Sequence, residues 1–101
     1  MVTCYLTYVI DPYKLKDFEF YAYSWIPLVK KFGGQHHGYF LPHEGANNIA
    51  VALFSFETLA AYEKYRMDSF KDEQCQKLYQ FATESKCIIS FNRSFMNPIF
   101  K

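Results

Sequence analysis

The segment Ile49–Phe56, with the sequence IAVALFSF, constrains the fold of this chain more than any other stretch. Successive side chains of a β-strand point to opposite faces of the sheet, and in this segment both sets are almost entirely apolar. A strand with two apolar faces is typical of the middle of a sheet that is covered on both sides. We therefore predict a central strand here, and we expect a packing partner for each face of its sheet.

The remainder of the chain divides into strands and helices by its apolar periodicity. Alternation predicts three further strands, at Val2–Ile10, Gln35–Leu41 and Lys86–Phe95. Helical spacing predicts three helices, at Tyr13–Phe32, Leu59–Ser69 and Glu73–Ser85. The resulting order is βαββααβ, in which the third helix is an addition before the last strand.

Residues at the ends of the predicted helices support these boundaries. Thr58 and Asp72 precede the second and third helices and are expected to cap them through their side-chain oxygens. Gly33 follows the first helix and supplies the left-handed residue that ends many helices. Pro27 lies inside the first helical pattern and has no backbone N–H, so we expect it to bend or interrupt that helix.

This order of elements predicts an α+β domain of the ferredoxin-like class. The turn HEGANN, residues 43–48, contains the Gly and Asn that tolerate positive φ, and it makes the two middle strands a hairpin. With right-handed crossovers, the economical arrangement is an antiparallel sheet of order 4-1-3-2 with the helices on one face only. The other face then needs a cover, and a second copy of the chain is the simplest one. We therefore expect a homodimer formed through the sheet face.

The aromatic content points to a cavity or an interface. The chain has 101 residues, which predicts a single domain over 1–101, and 21% of them are aromatic. Each aromatic ring can bury about 150–250 Å², more in total than one small core of this size can absorb. Some of the rings are therefore expected to line a ligand cavity or a subunit contact.

The charges and the cysteines favour a cytoplasmic protein without nucleic-acid or membrane partners. The 11 basic and 10 acidic residues are interspersed and form no basic stripe, so we expect no nucleic-acid partner. No apolar run reaches the about 20 residues that a membrane span needs. The three cysteines show no CxxC spacing and cannot all pair, which favours free thiols in a reducing cytoplasm.

Three long segments resemble the NIPSNAP family, which belongs to the dimeric α/β barrel superfamily. They are LKDFEFYAYSWIPLVKKFGG, HHGYFLPHEGANNIAVALFSFETLAAYEKYR and ISFNRSFMNP, and the resemblance spans nearly the whole chain. It implies a ferredoxin-like protomer whose sheet pairs with that of a second copy to form a shared barrel. In the wider superfamily, which includes cofactor-less monooxygenases and haem-degrading enzymes, ligands occupy a cavity between sheet and helices. The resemblance supplies no catalytic residue, and the lack of an Arg- and Ser-rich leader fits a bacterial member.

All three histidines fall within the segment His36–His43. His36 and His37 are adjacent on a strand and should point to opposite faces, while His43 lies beyond Pro42 in the turn, so we predict no metal site. Whichever of His36 and His37 faces the helices could accept a proton near neutral pH as a catalytic residue. The alternative is that each bonds a backbone carbonyl or lies at the dimer seam.

Two arginines stand among apolar residues. Arg66 lies on the side of the second helix that carries Leu59, so it could bind the acidic group of a ligand. The alternatives are a salt bridge with Glu63 or a side chain that extends its charged end to solvent. Arg93 shares one face of the last strand with Cys87, Phe91 and Phe95, and we interpret it as a residue that would stabilise a dimer by pairing across the seam. An aromatic wall for a flat hydrophobic ligand is predicted from Trp25, Tyr21, Tyr39 and Tyr62.

Two functions follow from these residues, and the sequence leaves both open. The first is a small-molecule enzyme of the cofactor-less monooxygenase type or the isomerase type. In it His36 or His37 handles a proton, Arg66 holds an anionic group, and neither a cofactor nor a metal is expected. The second is a non-catalytic module that binds a small hydrophobic molecule or a protein partner.

Overall fold

The computed structural model describes residues 1–100 and contains one antiparallel sheet of order β2-β3-β1-β4. Its strands are β1 (Val2–Ile10), β2 (Gln35–Phe40), β3 (Ile49–Phe56) and β4 (Ile88–Met96). Its helices are α1 (Leu15–Lys31), α2 (Leu59–Lys71) and α3 (Glu73–Ser85), and a 3-10 turn at Pro12–Lys14 precedes α1. The predicted ferredoxin-like order with an additional helix before the last strand is therefore confirmed.

The hydrophobic core lies between one face of this sheet and the helices. β3 occupies an inner position, paired with β1 on one side and β2 on the other, as its two apolar faces predict. Its core-facing residues change along the strand from small to aromatic, since Ala50 and Ala52 are fully buried and Phe54 packs against Tyr62 and Tyr65 of α2. The small residues pair with the large rings of Tyr8 and Tyr39 on the neighbouring strands, and the aromatic end packs against α2.

The opposite face of the sheet is apolar and only partly covered. Phe40 is 54% exposed and Ile49 is 41% exposed, and Val51 and Leu53 between them are half-buried. The C-terminal tail contacts this face at one point, where the Phe100 ring lies 5.9 Å from the His37 ring. The structure therefore agrees with the prediction that one apolar face of the sheet is left without helices to cover it.

The helix ends follow the sequence signals, and the proline does not interrupt α1. Thr58 Oγ1 accepts a hydrogen bond from the Ala61 N–H at 3.0 Å, and Asp72 Oδ2 accepts one from the Cys75 N–H at 3.0 Å. Pro27 lies inside a continuous helix. The carbonyl that it leaves without a donor is that of Tyr23, a residue 79% exposed, so water can replace the missing bond. Within residues 1–100, no helix combines the length and the apolar composition that crossing a bilayer requires.

A β-bulge in β2 changes the faces that simple alternation predicts. The register against β3 shifts between His36 and Gly38, so that His37 is the extra residue, and Gly38 has a φ of +110° that favours glycine. Alternation placed Tyr39 opposite to His36, and this was wrong. The bulge returns Tyr39 to the helix-facing side, where its ring stacks on His36 at 4.9 Å.

Gly34, which joins α1 to β2, provides a test of this packing. A Cβ atom at Gly34 would lie 2.6 Å from the Phe56 ring and 2.7 Å from a Val29 methyl group. We expect Gly34→Ala to lower the free energy of unfolding by about 1–3 kcal/mol through overpacking, measured by urea denaturation. In a Val29→Ala background the same change should cost less, because one of the clashing groups is gone. An equal cost in both backgrounds would contradict this packing.

Candidate functional site

A cleft opens between the sheet and the helices on the side of β1 and β4. Its volume is about 420 Å³, within the range of small-molecule sites in proteins. Its deep end narrows to an inner chamber of about 40 Å³. Six residues line both parts: Leu6, Tyr8, Tyr21, Arg66, Tyr79 and Arg93. The two spaces therefore form one site with a wide mouth and a narrow end.

The inner chamber is walled mainly by aromatic side chains. In addition to the shared residues it is lined by Trp25, Tyr39, Tyr62 and Tyr65. One water needs about 10–15 Å³ of such space, so the chamber holds about three waters or one small polar group. A ring or a long chain does not fit there and would remain in the outer cleft.

Arg66 reaches the site from the buried side of α2. It lies one helical turn after Tyr62 and one turn before Phe70, and its guanidinium stacks on the Phe70 ring at 5.0 Å. Among residues 1–100 it has no carboxylate within 4.0 Å, so the alternative salt bridge with Glu63 does not form. Stacking holds the plane of the guanidinium and leaves its N–H edge free to donate.

Arg93 reaches the site from β4, and its interpretation as a seam residue was wrong. It pairs with Leu6 of β1, whose side chain faces the helices, and so it lies on the core side of the sheet and not on the open face. Its guanidinium stacks on the Phe91 ring at 5.3 Å. Alternation with Phe91 and Phe95 placed these three side chains on one face, but local periodicity could not say which face meets the helices.

Two buried donors in the site make no hydrogen bond of good geometry within the described chain, although Trp25 lies close enough to the Tyr21 hydroxyl, and Arg93 close enough to the Cys4 thiol, to act against the raised pKa of that neighbour. Trp25 is 4% exposed and its indole N–H has no hydrogen-bond partner, and Arg93 Nε is likewise buried and unpaired among the described residues. Both atoms belong to residues that line the inner chamber. Because an unpaired buried donor is costly, the chamber is suited to a group that accepts hydrogen bonds.

The positive charges of Arg66 and Arg93 affect the pKa values of the same two neighbouring side chains. Burial raises the pKa of the Cys4 thiol to about 11, although the positive charges of Arg93 and Arg66 both act in the opposite direction. Burial also raises the pKa of Tyr62, again against these two charges. Both guanidinium groups also line the inner chamber, so they converge on one region of the cleft.

The tyrosines of the cleft are hydrogen-bond donors at neutral pH. Burial raises the pKa of Tyr21 to about 12 and raises the pKa values of Tyr8, Tyr39 and Tyr65 well above their usual range. Their phenols are therefore uncharged. The residues that line the cleft include neither a carboxylate nor a histidine, so the described lining supplies donors and positive charge but no ordinary base.

A buried hydroxyl links the two helices that frame the cleft. Ser69 of α2 is fully buried, and its Oγ lies 2.9 Å from the Tyr79 hydroxyl of α3. The same Oγ also donates to the Arg66 carbonyl at 2.8 Å. This link ties the position of Tyr79 to the turn of α2 that carries Arg66.

His36 faces the helices but lies outside the cleft. Its Nδ1 accepts a hydrogen bond from the Gly38 N–H at 2.9 Å, which closes the β-bulge, so the neutral ring carries its proton on Nε2. Burial, together with the charge of His37, lowers the pKa of His36 to about 4. The ring is thus uncharged at neutral pH, and its basic nitrogen is occupied by its own backbone.

His37 lies on the open face of the sheet. Its Nε2 is 2.7 Å from Ser55 Oγ, which is in turn 2.7 Å from Thr3 Oγ1. Adjacent His36 and His37 therefore point to opposite faces as predicted, and the structure brings neither of them to the cleft. Within the described chain no group of three metal-binding side chains comes together.

The lowered pKa of His36 predicts an acid-sensitive fold. Between pH 6.5 and about 4 the unfolded chain binds a proton at this residue that the folded chain does not, so stability falls as the pH falls through this window. We expect His36→Asn, whose side-chain oxygen can still accept from Gly38, to show a smaller fall in melting temperature over this range. His43→Asn, in the exposed turn, serves as the control and should behave like the wild type. Parallel pH profiles for the wild type and His36→Asn would contradict the assignment.

The structure brings together all four residues predicted to bind a ligand. Arg66, Trp25, Tyr39 and Tyr62 line the inner chamber, and Tyr21 joins them. Sequence reasoning did not assign Tyr8, Tyr79 or Arg93 to the site. Each stood in an apolar stripe of its element, which indicated a buried face but not the cavity that several elements share.

Solved structures confirm the fold at low sequence identity. A NIPSNAP family protein of unknown function from Agrobacterium tumefaciens has a TM-score of 0.82 at 19% identity, over 97% of this chain and 87% of that one. An uncharacterised NIPSNAP domain protein from Burkholderia xenovorans has a TM-score of 0.77 at 17% identity, over 98% and 95%. A putative antibiotic biosynthesis monooxygenase from Nitrosomonas europaea has a TM-score of 0.76 at 6% identity, over 99% and 100%.

The family is shown by the sequence match itself. Comparison with curated proteins found no match. The NIPSNAP family model matches residues 5–100, which includes every strand and helix described above except the first residues of β1. The predicted resemblance is therefore confirmed, and the chain belongs to the NIPSNAP family.

Proposed function

We propose that this protein binds a small apolar or aromatic molecule in the cleft between the sheet and the helices. The observation that supports this most directly is the cleft of about 420 Å³, which narrows into an aromatic chamber with unpaired donors. In the proposal Trp25, Tyr39 and Tyr62 shape the inner end, and Arg66 holds a polar or anionic group of the ligand. The outer cleft, which is lined by residues such as Phe91 and Ile88, receives the apolar body.

Binding is favoured over catalysis by the chemistry of the lining. A cofactor-less oxygenation or an isomerisation would use the Arg66 guanidinium and the neutral tyrosines to stabilise a deprotonated substrate. Either reaction also needs a group that removes the proton, and the described lining offers no carboxylate or imidazole for it. His36 and His37, our sequence-based candidates for this role, lie outside the cleft, so we retain catalysis as the second function.

The proposal includes a homodimer formed through the open sheet face. That face carries exposed Phe40 and Ile49 and half-buried Leu53, a contiguous apolar surface of the kind that soluble proteins cover. A second copy supplies the same face, and two such faces stack as sheets about 10 Å apart. The cleft lies on the other side of the sheet, so each protomer keeps its own site.

We also propose a reducing compartment such as the cytoplasm. Cys4, Cys75 and Cys87 are all buried and unpaired in the structure. Free thiols are the rule where glutathione and thioredoxin keep cysteines reduced. This supports the cytoplasmic location that the sequence predicts.

Ligand binding can be followed with Trp25, the single tryptophan of the chain. We expect its emission to shift saturably on titration with naphthalene or naphthol, because a ring in the outer cleft closes the mouth of the chamber that the indole lines. Ala82→Phe, which fills the outer cleft, should weaken this binding by about tenfold or more through steric overlap. Ala60→Phe, at an exposed position of α2, is the matched control and should bind like the wild type. Equal binding by both variants would show that the ligand does not use this cleft.

Dimer formation can be tested with a charge on the open sheet face. We expect native mass spectrometry to show twice the chain mass for the wild type and the single-chain mass for Leu53→Glu, because the carboxylate would be buried without a partner. Met67→Glu, on the exposed side of α2, is the control and should remain dimeric. A wild-type monomer, or a Leu53→Glu dimer, would overturn the proposed interface.

A further inference from the structure

We infer that the ligand is an aromatic or apolar carboxylic acid, whose carboxylate enters the inner chamber and is held there by Arg66 and Arg93. This inference rests on the proposed function, since it names the class of molecule that the cleft binds. It adds Arg93 as a second arginine that binds the carboxylate together with Arg66. It also fixes the orientation of the ligand, with its acidic group inward.

The distribution of basic residues is the first argument. The chain has 11 basic residues, only two of which are arginines, and both arginines line this cleft, whereas no lysine among residues 1–100 does. Arginine binds planar carboxylates through two parallel N–H donors, whereas the lysine ammonium is a point charge. The residues with the geometry for a carboxylate are thus concentrated at this one site.

The missing partners are the second argument. Neither guanidinium has a carboxylate within 4.0 Å among residues 1–100, and Arg93 Nε is buried without an acceptor. The third unpaired group of the site, the indole N–H of Trp25, lies in the same chamber. Two positive charges and two orphaned donors in a half-buried space are compensated by an anion with oxygen acceptors.

The convergence of the two charges is the third argument. Arg66 comes from α2 and Arg93 from β4, yet both positive charges act on Cys4 and on Tyr62. Like charges repel, so placing them together in a site of low polarity is unfavourable unless an anion lies between them. Both guanidinium groups line the cleft, and each lies over an aromatic ring, Phe70 for Arg66 and Phe91 for Arg93.

The size of the chamber determines the orientation of the ligand and the kind of acidic group that it carries. A volume of about 40 Å³ accepts a group about the size of three waters. A carboxylate with its two oxygens fits this space, whereas a phosphate ester adds a third terminal oxygen around a tetrahedral centre and exceeds it. The apolar body of the acid then occupies the outer cleft between α3 and β4, where Ala82, Ile88 and Phe91 lie.

The test compares an acid with its neutral amide on the full-length protein. Hydrocinnamate and hydrocinnamamide have the same shape and differ in charge at neutral pH, and both are titrated by calorimetry. We expect the wild type to bind the acid at least about tenfold tighter than the amide. Arg66→Met and Arg93→Met should each weaken acid binding by about 10–100-fold, the range of a charge-assisted hydrogen bond, and change amide binding little. Lys64→Met removes a charge from the exposed side of α2 and should change neither.

The outcomes separate this inference from the proposed function. Equal affinity for the acid and the amide in the wild type overturns the inference and leaves the cleft as a binding site, and this comparison needs no variant to fold. Tighter binding of phenethyl phosphate than of hydrocinnamate overturns the assignment of a carboxylate. A loss of acid binding in Lys64→Met equal to that in the arginine variants shows non-specific attraction and also overturns it. If naphthalene, naphthol, the acid and the amide all fail to bind, the proposed function fails with the inference.

Discussion

The two apolar faces of β3, of which the helices cover one, are the constraint on which the rest of the structure depends. Its core-facing residues run from Ala50 and Ala52 to Phe54 and Phe56, and this gradient determines where the helices can sit. At the aromatic end Phe54 and Phe56 pack against Tyr62 and Tyr65, which holds α2 against the sheet. At the small end Tyr8 and Tyr39 pair with Ala50 and Ala52, and their rings lie 6.2 Å apart and line the inner chamber.

The site combines features that a core built only for stability would avoid. Two arginines without carboxylate partners, an unpaired indole N–H and several uncharged phenols surround a space too narrow for an apolar group. Each of these groups loses hydration when it is buried, and the Trp25 indole N–H and Arg93 Nε regain no hydrogen bond of good geometry within residues 1–100. The link from Ser69 to Tyr79 ties the helices α2 and α3 together beside this arrangement. A pre-organised set of donors is suited to binding an acceptor with little loss of side-chain entropy.

Much of the fold was predictable because it depends on local patterns. β1 and β3 have the predicted bounds, and Thr58 and Asp72 cap the predicted helices. Two features of the fold differ from the predictions, and residue propensities for helix and strand do not reveal their causes. Pro27 stays within α1 because the carbonyl that it deprives of a donor belongs to the exposed turn at Tyr23. The bulge at His37 reverses the faces of the following residues, since one additional residue shifts a pattern of period two.

The sequence by itself determined the strands, the helices, the order of the sheet, the family and four helix residues that border the cleft, namely Tyr21, Trp25, Tyr62 and Arg66. Only the tertiary structure decided that Arg93 meets Arg66 on the core side of the sheet and that His36 is engaged by its own backbone. The physical reason is that periodicity tells which residues of one element share a face. It does not tell which face of another element lies opposite, because that depends on packing between segments far apart in the chain.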